Sequence, residues 1–156
     1  MAVTVAHGVE GVQELVGRTL GPGEWATLSA EQVTGFLLSA GGGPGSPPPL
    51  AGSRRAPGAG PEPDGVVPPY LLLSLVSRLA LELLSTTGFR MGVNYGCDQV
   101  RFPAAAPVGA RLQASLTVDR VDAIEGGAAM WSTVTIEAEG VEEPVMVAVT
   151  LVRRYL

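Results

Sequence analysis

The side chains able to do acid–base or nucleophilic chemistry are few in this chain. There is one histidine, His7, and one cysteine, Cys97. A Ser-His-Asp triad, a multi-histidine zinc site and a histidine–aspartate dyad each need an imidazole inside the fold. His7 falls in an N-terminal stretch that reads as a tail, so all three become improbable together. A lone cysteine excludes an internal disulfide and a cysteine-rich metal site. With no base beside it, Cys97 reads as a small core hydrophobe rather than a nucleophile. Glu62 and Asp64 are the only carboxylates between residues 41 and 69; either could be a general acid or base, and the plainer reading is a solvated loop charge. Tyr70 could offer its phenol to a substrate carbonyl, or be buried and satisfied by backbone. Asp98 reads as a surface partner of Arg101 or Arg90. Neither a metal nor a cofactor is expected.

The element that must position any such group is Tyr70–Leu84. Its polar residues Ser74, Ser77, Arg78 and Glu82 recur at spacings of three and four, so on a helix they form one narrow stripe with apolar surface in every other direction. Fifteen residues span roughly 22 Å, short of a bilayer core, and Arg78 and Glu82 lie inside the run. The expectation is a buried helix wrapped by a sheet, not a membrane span.

Earlier in the chain, residues 1–16 are weakly periodic, and Gly17 to Gly23 reads as a turn. Glu24–Leu28 alternates as a strand. Ser29 and Gln32 form a capping-box pair, opening a helix whose buried face is Val33, Phe36, Leu37 and Ala40. Between Gly41 and Pro69, 17 of 29 residues are Gly or Pro, which excludes a regular helix or strand and predicts a long loop, a lid or a disordered segment. After the helix, Arg90–Phe102, Arg111–Val118, Ala128–Glu139 and Val145–Val152 read as strands of an antiparallel meander, with a turn at Glu125-Gly126-Gly127. The last strand is apolar on both faces, as for a central strand or one against a partner.

The whole of 1–156 fits one domain: 46% of residues are hydrophobic, enough to fill a core. The net charge is −5, all ten basic residues are arginine, and no basic run occurs. Nucleic acid is therefore not an expected partner. Nothing at the N-terminus has the pattern of a signal peptide, and the default expectation is a cytoplasmic protein.

The element order of strand, helix, long loop, buried helix and four strands is the hotdog order, an α+β class in which an antiparallel sheet wraps a long apolar helix. Val93-Asn94-Tyr95-Gly96 and Val100-Arg101-Phe102-Pro103, followed by Pro107-Val108-Gly109, resemble the signature of MaoC-like dehydratases, the R-specific enoyl-thioester hydratase family. Leu72-Leu73-Ser74-Leu75 resembles the family's central helix, and Gly17-Arg18-Thr19-Leu20-Gly21 with Trp25 its opening segment. The resemblance implies hydration or dehydration of an acyl thioester by an aspartate and a histidine five residues later. Those positions fall on Gly42 and Pro47. The family's alanine-histidine-glycine sequence, whose backbone amide polarises the thioester carbonyl, falls on Val67, Pro68 and Pro69, and proline has no amide hydrogen.

A divergent member without the dyad is thus expected. The pocket candidates are Phe36, Tyr70, Ser74, Asn94 and Tyr95, with Asn94 and Tyr95 read first as packing and hydrogen bonding within the sheet. One functional expectation is a cyclase of polyketide-type metabolism, a [4+2] pericyclase being the suggested type, that folds an apolar polyene substrate. The alternatives are a non-catalytic hydratase-like subunit or acyl-chain binder, and a dehydratase using Glu62 or Asp64. A homodimer is expected by family analogy.

Overall fold

A computed structural model of the chain describes residues 2–40 and 65–156. Gly42, Pro47, Glu62 and Asp64, singled out from the sequence, lie outside the described residues. The chain opens with β1 (Thr4–His7), α1 (Gly8–Gln13), β2 (Thr19–Leu20) and β3 (Ala26–Thr27), then α2 (Ala30–Ser39). After the undescribed segment come α3 (Pro69–Leu83), β4 (Leu84–Thr87), β5 (Met91–Arg101), β6 (Arg111–Ile124), β7 (Gly127–Ala138) and β8 (Met146–Tyr155).

The helix starts follow from sequence. Ser29 and Gln32 form the reciprocal capping box of α2: the Gln32 amide donates to Ser29 Oγ at 3.2 Å, and the Ser29 amide to Gln32 Oε1 at 3.0 Å. Only Val33 of that helix is fully buried; Phe36 and Leu37 are partly buried against the core, and Ala40 is exposed because it caps the helix's last turn. In α3, Pro69 sits at the first turn, where its missing amide hydrogen and fixed φ are tolerated.

The main sheet has the order β2-β6-β7-β8-β5, with β3 pairing β6 beside β2. Strands β6, β7 and β8 form an antiparallel meander. Strand β5 departs from the meander: it pairs antiparallel with β8 and occupies the far edge. The step from β5 to β6 therefore crosses the sheet. Residues 145–152 lie between β7 and β5, so both edges are covered within the chain, as expected of a central strand.

Three further expectations change. Residues 4–7 are a strand paired in parallel with β4, and His7 Nδ1 hydrogen bonds with Thr87 Oγ1 at 3.0 Å, so His7 is not in a tail. Residues 65–67 are pinned to residues 106–108 by a bridge and two backbone hydrogen bonds of 2.8 Å, so the expected 41–69 loop has an ordered end. Finally, α3 is only half wrapped. Leu71, Leu72, Leu79 and Leu83 are buried, but the polar stripe is exposed and takes Tyr70 and Leu81 with it, at 73% and 63% exposure. The sheet covers one side of the helix, and a spacing of four places 70, 74, 78 and 82 on the other, with 77 and 81 at the border between the two.

The core lies between α3 and the inward residues of the strands, among them Leu112, Leu116, Val134, Ile136, Met146 and Ala148, each 3% exposed or less. At the sheet's rim Arg111 forks onto the Glu139 carboxylate, with Nε donating to Oε2 at 2.8 Å, which holds Glu139 below its ordinary carboxyl value and raises Arg111.

Candidate functional site

A cavity of about 360 Å³ opens between α3 and the β5–β8–β7 side of the sheet. Its helix wall is Leu73, Val76, Ser77, Ala80, Leu81 and, at the start of β4, Leu84. Its sheet wall includes Met130 and Ser132 of β7, Thr150, Val152 and Arg154 of β8, and Gly92, Asn94, Gly96 and Cys97 of β5. The volume is near the lower end of the roughly 300–1,000 Å³ usual for small-molecule sites, and the mixture of many apolar and a few polar residues is usual as well.

Local structure explains the polar positions. The period of two along β8 carries Met146, Ala148, Thr150, Val152 and Arg154 to one face, so the apolar row that fills the core ends on a guanidinium. Opposite Arg154 in the ladder stands Gly92. A Cβ there would lie 2.8 Å from Arg154 Nη1. The absent side chain is what gives the guanidinium its place in the wall. Among the described residues the Arg154 side chain makes no hydrogen bond or ion pair, its Nε is buried, and burial pushes the guanidinium below the ordinary arginine value. Ser132, 2% exposed, is the one buried polar residue among those described, and its Oγ finds no partner either.

Of the residues singled out from sequence, Asn94 lines the cavity and donates from Nδ2 to Ser77 Oγ at 3.0 Å, tying β5 to α3. Cys97 also lines it and is exposed rather than a core hydrophobe, because β5 is an edge strand. Ser74 turns its hydroxyl back onto Leu71 O at 2.7 Å within α3. Phe36 packs against the core from α2. Tyr70 is exposed at the start of α3, not buried. Tyr95 is not among the lining residues; it is 56% exposed, with the Arg153 guanidinium 3.6 Å from its ring centroid. Asp98 accepts from Trp131 Nε1 at 3.0 Å instead of pairing with Arg101 or Arg90. Sequence reading missed Arg154 and Ser132; the signal for Arg154 was its place four residues beyond Thr150 on an apolar, period-two strand.

The segment entering α3 offers few backbone donors. Val67 gives its amide to Ala106 O at 2.8 Å, Pro68 and Pro69 have none, and Leu71 donates to Pro68 O at 2.9 Å. No group of histidine, cysteine and carboxylate residues suited to a metal occurs among the described residues. No helix among them is long and apolar enough to cross a membrane.

No family model matches the chain. In sequence it is similar to 3-hydroxyacyl-thioester dehydratase Z of Mycobacterium tuberculosis, 29% identical over 138 residues, which is 88% of this chain and 89% of that protein. In structure it resembles a MaoC-like dehydratase from Rhodospirillum rubrum, with a TM-score of 0.61, 14% identity and coverage of 90% of this chain and 92% of that one. The R-hydratase PhaJ1 from Pseudomonas aeruginosa gives a TM-score of 0.64 at 12% identity, covering 95% and 85%. In sequence the chain is thus similar to a 3-hydroxyacyl-thioester dehydratase, and the fold around the cavity is the hotdog fold, shared with a MaoC-like dehydratase and an R-hydratase.

Proposed function

We propose that this chain keeps a hydratase-like scaffold without hydratase acid–base chemistry, and that it acts as a cyclase by folding an apolar polyene substrate into a reactive conformation. The observation that carries the reading is the cavity wall, whose described residues include no carboxylate and no imidazole. The spent amide of Val67 and the two prolines after it support the loss of the backbone donor expected there. An intramolecular [4+2] addition suits such a wall. It exchanges three π bonds for two σ bonds and one π bond, and no proton enters or leaves. What the protein must supply is proximity and alignment, on the order of 7–11 kcal/mol in well-oriented intramolecular cases.

A second reading, favoured by the dehydratase relative, is a dehydratase in which Glu62 or Asp64 supplies the missing proton transfer. A non-catalytic acyl binder is separated from both by turnover. The proposal includes a homodimer: residues 91–99 of β5 are exposed along a sheet edge, and the Tyr70 and Leu81 side of α3 is uncovered.

The first test is hydration of a short trans-2-enoyl thioester at high protein concentration, followed by loss of the enoyl absorbance. The expected result is no rate above background, and conversion of a linear polyene into a cyclic isomer of unchanged mass. Hydration at an ordinary enzymatic rate would overturn the cyclase reading, and its abolition in Asp64→Asn or Glu62→Gln would establish the substitute carboxylate.

A further inference from the structure

The two polar groups left without partners in the cavity stand at its opposite ends. Arg154 and Thr150 are four residues apart on β8, roughly 13 Å at the usual strand rise, and Ser132 is the ladder partner of Thr150. Between them the wall is mostly apolar, with Val152 and Met130 on the sheet and Leu73, Val76 and Ala80 on the helix, and its polar pair Asn94 and Ser77 are bonded to each other. A half-buried guanidinium without a counter-charge is costly to a fold unless something compensates it. Its neighbour Arg153, whose Nε is likewise buried without a hydrogen-bond partner, has its guanidinium over the Tyr95 ring. Gly92 leaves the space that Arg154 occupies. Nearby hydroxyl and amide groups do not neutralise it: Asn94 is spent on Ser77, and the Thr150 hydroxyl donates to Ser132 O at 3.2 Å.

We propose that Arg154 is the anchor for a carboxylate, and that the cavity takes an apolar organic acid with its head on the guanidinium and its body along α3 toward Ser132. The planar fork of arginine matches the two oxygens of a carboxylate, which a thioester carbonyl does not provide. The inference rests on the reading of the cavity as a substrate pocket and narrows it: the molecule bound is a free acid, not one held through its carboxyl carbon on a carrier.

The test is a calorimetric or NMR titration of the full chain with octanoate and with octanamide, which share an apolar body and differ in the charged head. Octanoate is expected to bind about tenfold or more tightly than octanamide, as for a charge-assisted pair. Arg154→Met should remove that preference. Equal affinities in the wild-type chain, or binding of neither, would overturn the anchor, and neither outcome depends on a variant that folds. Failure of the two readings is distinguishable. Octanamide binding as well as octanoate would sink the carboxylate anchor and leave the cyclase reading, whereas a preference for octanoate that is lost in Arg154→Met, with no polyene cyclised, would sink the cyclase reading and leave the anchor.

Discussion

A glycine decides the geometry of the β6–β7 hairpin. Gly126 has φ +71° in the turn between β6 and β7, a left-handed conformation that residues with side chains resist. Gly127 faces a different constraint, because a Cβ there would collide with the backbone carbonyl of Arg154 on β8. Gly127→Ala should therefore part β7 from the end of β8 and destabilise the fold by about 1–3 kcal/mol, as overpacking does, read as a lowered chemical-denaturation midpoint. An unchanged midpoint would mean that the strands shift to accept the methyl group. Sequence made this glycine visible as a turn residue, but its packing role needed β8 beside it. His7 teaches the same lesson in reverse: as the one histidine it excludes a multi-histidine site, and its place beside Thr87 emerged only from the β1–β4 pairing.

At the scale of the element, α3 was the most legible part of the chain. Fifteen residues with a polar stripe at helical spacing specify a helix, and α3 begins and ends within one residue of the expected Tyr70–Leu84. What periodicity could not give is how far round the helix the sheet reaches. The stripe's neighbours Tyr70 and Leu81 look like core residues by type and are exposed by position. Leu79, 2% exposed, should cost about 2–5 kcal/mol when changed to Ala, through lost transfer energy and the cavity left behind. A midpoint shift near zero for Leu79→Ala would mean that the described packing of α3 on the sheet is wrong. From sequence Asn94 is expected to pack and hydrogen bond within the sheet, and its bond to Ser77 runs instead to the helix. The face a strand residue occupies depends on register, and β5 has two register shifts, around Asn94 to Gly96 and Cys97 to Gln99.

At the scale of the whole molecule, β5 is the part most open to another copy, being an edge strand exposed along nearly its full length. Sedimentation at several concentrations should give twice the chain mass. In that assembly Leu81→Ala should weaken association, while an isolated chain would lose no more than about 0.5 kcal/mol for an exposed side chain. A chain that stays monomeric at every concentration would leave the exposed edge and the open helix face unexplained by pairing. The sequence by itself determined the α+β order, the apolar helix, the alternating strands and the scarcity of acid–base groups, because these depend on residue type and local spacing. Only the tertiary structure decided that β5 crosses to the far edge beside β8, and that of Arg153 and Arg154 it is Arg154 that meets Gly92 in the cavity. Pairing partner and register are non-local, and a shift of one residue along a strand exchanges its two faces.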